Sequence, residues 1–335
     1  MTDMKTRTTG LLLRGAALAA VLGLSAGAAN AQETLRAIAT FPKSLAFTQS
    51  FLKFVDKVNA MGEGVVQIQY MGGPEVVPPQ QQADAVRRGV VDMNYGPTTY
   101  YLGTMPEADA WVGATVNAAE ARENGGFEVM QEVVADKLGV KLLAHLETGV
   151  NFYIYTTEEP KISETGGPDL TGMQLRSQPI YNAFFQGLGA VPVSVPVPDV
   201  YTGLERGTFD GVGWPIIGVQ DLSWDKFLKY RIDPGFFSMD LAVLMNPEKW
   251  ESLSTEAKEI LTQAAVEYEK ESSEAMLAMA QETDAAVREK GMTVIELEGE
   301  ARDAYLDAAY DSAWGRLKES GSKYYETLRE HYYTR

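Results

Sequence analysis

The chain has 335 residues, and its 46 acidic against 29 basic side chains give a formal net charge of −17. This length suffices for two domains with a substantial hydrophobic core. The absence of cysteine excludes disulfides, thiolate nucleophiles, iron–sulfur clusters and cysteine-ligated zinc. Only His145 and His331 carry imidazoles, which disfavours a His-rich metal centre or a Ser-His-Asp triad. The negative charge argues against binding to nucleic acid or to an anionic membrane.

The first 31 residues have the three-part pattern of a secretory signal peptide. Three cationic side chains precede an apolar run over residues 15–29, and Ala-Asn-Ala at 29–31 forms a small-x-small cleavage site. The apolar run is too short for a membrane span, which needs roughly 20 residues. We expect cleavage after Ala31, a periplasmic mature chain and no direct membrane insertion afterwards. Cleavage leaves 26 basic and 45 acidic residues, a net charge of −19.

The mature chain begins with alternating strands and helices. The hydrophobic spacing predicts strands at 34–40, 65–70 and 90–95, with helices at 44–61 and 80–88 between them. The same rhythm returns later, with strands at 140–145, 152–156, 172–176, 191–193 and 209–214 and helices at 180–188 and 198–206. This alternation is typical of layered α/β domains, and it predicts an α/β fold with a second lobe that starts near residue 150.

The C-terminal third has a different pattern. Residues 254–290 contain neither Pro nor Gly, Ser254 is a candidate N-cap, and Gly291 follows as a stop. One helix of this length would measure about 55 Å, whereas a break near Ser272 and Ser273 would make two helices. An edge strand at 293–297 and one or two closing helices over 303–331 complete the prediction.

One cation and a set of aromatic residues stand at predicted strand ends. Arg176 closes a predicted strand and faces a loop, the place where two-lobed α/β proteins bind ligands, and its planar guanidinium matches a carboxylate. An ordinary surface ion pair is the alternative. The aromatic residues at strand ends predict a largely apolar small-molecule cleft; they are Phe41, Tyr95, Tyr100, Tyr101, Phe152, Tyr181, Trp214, Phe236 and Phe237.

Three ordered runs carry a family resemblance: LTGMQLR at 170–176, GLGAVPV at 187–193 and PDVYTGLERGTFDG at 198–211. Together with GVVDM at 89–93 and LSTEAK at 253–258, they resemble the DctP-type extracytoplasmic solute-binding subunits of TRAP transporters. The resemblance covers essentially the whole mature chain.

The resemblance implies two α/β lobes joined by crossing strands and a long brace helix. It places residues 32–148 with 240–279 in the first lobe, and residues 149–239 with 280–335 in the second. It further implies a receptor that delivers a small organic acid to ion-gradient-driven membrane permease subunits. Such a receptor needs no cofactor and no catalytic residue; we name no metal-ligating residue, and a metal ion that bridges ligand and protein stays open.

The resemblance also implies which residues bind the ligand. The family's arginine that grips the ligand carboxylate matches Arg176. A second arginine common in the family is absent, since Asn151 stands in the segment GVN, so we expect Asn151 to act as an uncharged donor. Trp214 replaces the asparagine of many sugar-acid binders, which favours a small monocarboxylate. Further matched positions of the cleft are Thr40, Tyr95, Thr98, Phe237 and Asp240.

Other functions stay open at this point. The chain could serve an ATP-driven importer as its solute receptor, or act as an exported hydrolase or lyase that uses Asp and Glu. A cationic or zwitterionic ligand also fits the sequence, because Asp240 and Glu147 fall near the predicted cleft.

Overall fold

The computed structural model describes residues 32–335, so the predicted leader and its cleavage site lie outside the described residues. The strands are β1 (Glu33–Ala39), β2 (Val66–Gly72), β3 (Met93–Pro97), β4 (Lys141–Leu146), β5 (Phe152–Thr156), β6 (Lys161–Ile162), β7 (Pro168–Asp169), β8 (Gln174–Ser177), β9 (Val191–Ser194), β10 (Gly211–Pro215), β11 (Tyr230–Phe236), β12 (Leu241–Met245) and β13 (Thr293–Glu296). The helices are α1 (Ala46–Met61), α2 (Gln82–Arg87), α3 (Asp109–Val112), α4 (Ala118–Glu123), α5 (Gly126–Leu138), α6 (Pro179–Gly187), α7 (Val197–Glu205), α8 (Pro247–Ser252), α9 (Thr255–Glu289), α10 (Gly299–Glu319) and α11 (Tyr325–Tyr332).

Two sheets form the centres of two lobes. The first sheet has the strand order β2-β1-β3-β12-β4, and the second has the order β13-β11-β5-β10-β8-β9. β1 pairs in parallel with β2 and β3, and β8 pairs in parallel with β9 and β10. The predicted α/β class, with two lobes, is therefore confirmed.

Two short segments cross between the sheets, and the chain passes between them a third time through α8 and α9, from β12 to β13. Residues 147–151 connect β4 of the first sheet to β5 of the second, and residues 237–240 connect β11 back to β12. Each short crossing contains a residue other than glycine in the left-handed region, namely Glu147 with φ of 63° and Phe237 with φ of 55°. Residues other than glycine rarely adopt this backbone conformation, so contacts with the surrounding structure must hold both turns in place.

The predicted long helix is one continuous helix that braces both lobes. α9 has 35 residues, which corresponds to about 52 Å, and its N-cap Ser254 accepts a hydrogen bond from the Ala257 N–H. The possible break at Ser272 does not occur, since α9 continues through this position, where the Ser272 hydroxyl donates to the Glu269 carbonyl one turn earlier. Arg122 of the first lobe pairs with Glu269, and Arg231 of the second pairs with Asp284.

The end of the chain packs across the predicted division between the lobes. α10 contacts α6 and β11 on the second lobe as well as α3 on the first, and α11 packs on α3 and α5. Trp314 of α10 donates a hydrogen bond to the Gly113 carbonyl at the end of α3. The predicted boundaries assign residues 280–335 to the second lobe. In the structure, α10 and α11 of this segment also pack against helices of the first lobe.

One predicted boundary shifts for a local reason. The third strand begins at Met93 and not at Val90, because Gly89 is left-handed and turns the chain at the end of α2. The Val90 N–H then bonds to the Ala85 carbonyl, which closes this helix end and leaves the Val90 side chain exposed.

Candidate functional site

A small cavity lies between the lobes, where strands of both sheets end. Its lining includes Pro97 at the end of β3, Arg176 of β8, Trp214 of β10 and Asp240 immediately before β12. The centre of a water molecule can move within about 40 Å³ of this space. One water needs roughly 10–15 Å³ of such volume, so the cavity has room for about three waters or a molecule of similar size.

The walls of the cavity are mostly aromatic and aliphatic. Four polar side chains interrupt them, namely Thr99, Arg176, Gln178 and Asp240. The aromatic part consists of Phe41, Phe47, Tyr100, Phe152, Tyr181 and Trp214. A mostly apolar enclosure with a few fixed polar groups is the usual construction of a small-molecule site.

Arg176 is fully buried and only partly satisfied. Its Nε donates a hydrogen bond to the Val195 carbonyl at 3.0 Å, whereas Nη1 and Nη2 have no hydrogen-bond partner. Within residues 32–335, no carboxylate comes within ion-pair distance of its guanidinium. Burial lowers the pKa of Arg176, and the nearby Tyr100 and Tyr181 hydroxyls oppose this. A buried cation without a counter-ion is costly, and the two donors without partners are free to bind an anion.

Trp214 forms the wall beside this cation. The Arg176 guanidinium carbon lies 5.6 Å from the centre of the Trp214 ring, a separation at which a cation and an aromatic face attract. The Trp214 Nε1 donates to the Ile217 carbonyl at 3.1 Å, which fixes the ring. The aromatic face is therefore held in place before any ligand enters.

Asp240 supplies the second charged group of the cavity. Its Oδ2 accepts hydrogen bonds from the Thr98 hydroxyl at 3.1 Å and from the Thr99 N–H at 2.7 Å. Burial raises the pKa of Asp240, and these donors oppose that shift by stabilising the ionised form. Thr98 thus supports Asp240 and does not itself line the cavity.

Asn151 and Phe237 lie away from this cavity. The Asn151 amide donates to the Phe237 carbonyl at 2.6 Å, which ties the two crossing segments together. Its side chain borders a different cleft, beside Arg231 and Leu277. Phe237 is buried against Tyr181, with ring centres 6.4 Å apart. Asn151 therefore contributes no donor to this cavity, because its amide nitrogen donates to the backbone of the second crossing segment.

Thr40 and Tyr95 also differ from their predicted place in the cavity. Thr40 borders an adjoining outer cleft and donates to the Gln82 amide oxygen at 2.8 Å. Tyr95 lies in the core of the first lobe, where its ring stacks on Phe51 at 4.8 Å and its hydroxyl donates to Glu147. The sequence pattern places both residues at strand ends, but side-chain direction turns them away from the cavity.

Gln178 and Phe47 line the cavity, and the sequence analysis did not identify either as a site residue. Gln178 precedes Pro179 at the start of α6, directly after the strand that carries Arg176. That adjacency was a usable signal. Phe47 had none, because its spacing with Phe51 and Phe54 is that of an ordinary buried helix face.

Neither a metal cluster nor a membrane span is found in the described part of the chain. Residues 32–335 bring together no set of three His, Asp or Glu side chains suited to hold a metal ion. Among these same residues, no helix combines the length and the apolar character that crossing a bilayer requires.

Comparisons with known proteins identify the family. The profile of the DctP family, described as bacterial extracellular solute-binding protein family 7, matches residues 39–317. This chain belongs to that family. The predicted resemblance to TRAP solute-binding proteins is thereby confirmed, and membership makes the chain a solute-binding receptor.

Two relatives of this DctP-family chain are also named as solute-binding proteins. A Nostoc sp. protein named monocarboxylate 2-oxoacid-binding periplasmic protein is 26% identical over 243 residues, which are 69% of this chain and just under two thirds, 65%, of the Nostoc protein. A Roseobacter denitrificans solute-binding protein is 22% identical and covers 93% of this chain and 96% of its own.

A solved structure shares the fold. The crystal structure of DctP7, a Bordetella pertussis extracytoplasmic solute receptor that binds pyroglutamic acid, has a TM-score of 0.77 at 19% identity. The alignment covers 90% of this chain and 99% of the Bordetella protein. These relatives are solute receptors, which is the class to which the DctP-family chain belongs.

The first crossing segment of this DctP-family protein, residues 147–151, contains an unusual buried acid. Glu147 is fully buried in the first crossing, its backbone N–H donates to the Ser272 hydroxyl of α9, and its Oε1 has no hydrogen-bond partner. Burial raises the pKa of Glu147 to about 7, although hydrogen bonds from Ser50 and Tyr95 oppose the shift. Because an unfolded glutamate releases its proton near pH 4.3, this group disfavours the folded state as the pH rises from about 4.3 to 7.

We expect Glu147→Gln to remove that dependence. As the pH rises from about 4.3 to 7, the unfolding free energy of the variant should increase relative to that of the wild type, by at most about 1.4 kcal/mol per pH unit. The difference between the two melting temperatures should shift in the same direction. The comparison must be made between the two proteins at each pH, because buried His145, whose pKa is lowered to about 4, acts in the opposite direction. A constant difference across this range would contradict the assignment.

Proposed function

We propose that this protein captures a small organic monocarboxylate outside the cytoplasm and delivers it to the permease subunits of a TRAP transporter. Arg176 would bind the ligand carboxylate through Nη1 and Nη2, with Trp214 and the neighbouring aromatic residues as walls. We further propose that the leader is removed after Ala31, which would release the chain into the periplasm.

The unpartnered guanidinium of Arg176 carries the proposal. The mature chain has a net charge of −19, so the global field repels an anion, and a local cation must provide the attraction. Two adjacent free donors in one plane suit the two oxygens of a carboxylate. The small free space of the cavity favours an acid of few non-hydrogen atoms over a long sugar acid.

The names of the relatives support the same ligand class. The Nostoc protein is named for monocarboxylate 2-oxoacids, and the Bordetella receptor binds pyroglutamic acid, so each is associated with an acid that has one carboxyl group. The family assignment supports delivery to a membrane transporter. Uptake that needs the permease genes and an ion gradient, and persists without ATP hydrolysis, would support the TRAP partner over an ATP-driven importer.

A ligand screen tests the proposal. Small monocarboxylates should raise the melting temperature of the protein and change its tryptophan fluorescence, whereas matched amides and alcohols should do neither. Because Trp214 lines the cavity and Trp250 borders a separate surface cleft, Trp214→Phe should lose most of the fluorescence response and Trp250→Phe should keep it. A response only to solutes that lack a carboxylate would contradict the proposed function.

A further inference from the structure

The cavity contains a second charge that a simple carboxylate would leave unmatched. Asp240 lines the same small space as Arg176, and its side chain is almost completely buried. The two residues come from different parts of the molecule, since Arg176 belongs to β8 of the second sheet and Asp240 precedes β12 of the first. A ligand that contacts both would therefore bridge the two lobes.

The two charges do not neutralise each other. Within the described residues, Asp240 forms no ion pair with Arg176 or with any other cation. Tyr100 and Tyr181 lie within the electrostatic influence of both charged groups. A buried cation and a buried anion that face one cavity without meeting each need a partner from the ligand.

The backbone around Asp240 fixes its orientation. The Thr98 hydroxyl and the Thr99 N–H donate to Oδ2, and the Thr99 hydroxyl and the Asp240 N–H also stabilise the ionised carboxylate. The preceding Met239 is held on both sides, since its N–H donates to the Val150 carbonyl and its carbonyl contacts Nε2 of His145 at 3.0 Å. These donors favour the ionised carboxylate, whose two oxygens have about four acceptor sites in all, so it can accept a further hydrogen bond from a ligand.

We propose that the ligand carries a hydrogen-bond donor, a hydroxyl or an N–H, next to its carboxylate, and that Asp240 accepts this hydrogen bond while Arg176 binds the carboxylate. This inference rests on the proposed function and narrows its ligand class. It makes Asp240 a specificity-determining residue that selects hydroxy or amino acids against 2-oxo acids of the same carbon skeleton. A 2-oxo group has only acceptor atoms, so it would face the Asp240 carboxylate without a donor and leave it unpaired.

Matched acids test the inference directly. The probes are 2-hydroxypropanoate, 2-aminopropanoate and 2-oxopropanoate, together with the 2-hydroxy, 2-amino and 2-oxo forms of 3-methylbutanoate, titrated calorimetrically. We expect the wild type to bind a hydroxy or amino acid at least about 10-fold more tightly than the 2-oxo acid of the same skeleton. Comparison of the hydroxy and amino probes decides which donor the site prefers.

Asp240→Asn provides the matched variant. Asparagine keeps the shape of the side chain but can donate as well as accept, so the preference should fall to within about 3-fold and the 2-oxo acid should gain affinity. Thr98→Val, which removes one donor to Oδ2, should reduce the preference less. If Asp240→Asn fails to fold, the affinity ratio of the wild type alone still decides the question.

Two other outcomes separate the inference from the proposed function. Equal affinity for both partners of a pair, or tighter binding of the 2-oxo acid, would overturn the role of Asp240 and leave a monocarboxylate receptor in place. Failure of every carboxylate to bind, with binding of other solutes, would overturn the proposed function and this inference together.

Discussion

Arg176→Ala is expected to abolish acid binding without destabilising the unliganded protein. Removal of a buried charge from a hydrogen-bonded pair with a ligand costs about 2–5 kcal/mol, which corresponds to a loss of roughly 30-fold to several thousand-fold in affinity. Among residues 32–335 of the free protein, the same guanidinium has two unpaired donors and no counter-ion, so its removal relieves a desolvation cost that offsets the lost packing. The melting temperature of the free variant should therefore stay near that of the wild type or rise.

Calorimetric titration and thermal melting with and without ligand check this prediction. Arg176→Lys is the matched control, because it keeps a positive charge but loses the planar fork, and it should retain weak binding. Arg206, at the end of α7, is an exposed arginine of the same lobe, and Arg206→Ala should leave binding unchanged. A free Arg176→Ala protein that melts far below the wild type but still binds acids would show a structural role instead.

Arg122→Ala is expected to cause the largest loss of stability. Arg122 of α4 donates through Nη2 to Glu269 of the long helix at 2.9 Å, and the Glu269 side chain is only 2% exposed. Glu269 also accepts the N–H of His145 at 2.8 Å, so it connects α9 to β4. Loss of the cation leaves a buried carboxylate unpaired, which costs about 3–5 kcal/mol and lowers the melting temperature by roughly 5–8 °C.

Lys57→Ala is the control for this effect. Lys57 of α1 forms ion pairs with the same helix, but its partners Glu267 and Glu271 are 42% and 53% exposed, so its removal should cost no more than about 1 kcal/mol. Denaturant unfolding of the three proteins measures the difference. Equal stability of Arg122→Ala and the wild type would contradict the view that this buried pair fastens the brace helix to the first lobe.

Local sequence patterns were sufficient for most of the fold. Phe47, Phe51 and Phe54 recur at helical spacing and are buried along α1, and the absence of Pro and Gly over 254–290 predicted helix throughout this range, with one helix or two left open. These patterns depend only on residues that are close in sequence, so they predict individual helices and strands without knowledge of tertiary contacts. The packing of α10 and α11 across both lobes was not predictable in this way, because it depends on contacts between residues such as Trp314 and Gly113, about 200 positions apart.

The candidate site was predictable where the backbone alone determines direction. Arg176 and Trp214 lie on neighbouring parallel strands of one sheet, so their approach follows from the strand ends. Thr40 and Tyr95 also lie at strand ends, yet a hydrogen bond to Gln82 and a stack on Phe51 turn them elsewhere. The direction of such side chains depends on their rotamers and on partners far away in the sequence, and neither can be predicted from a single sequence.

A crystal structure of the protein with a bound hydroxy monocarboxylate tests the central claim most directly. The account predicts the ligand carboxylate in the cavity between the lobes, within hydrogen-bonding distance of both Nη1 and Nη2 of Arg176 and beside the Trp214 ring. Ligand density at another site, with the Arg176 guanidinium still unpartnered, would contradict it.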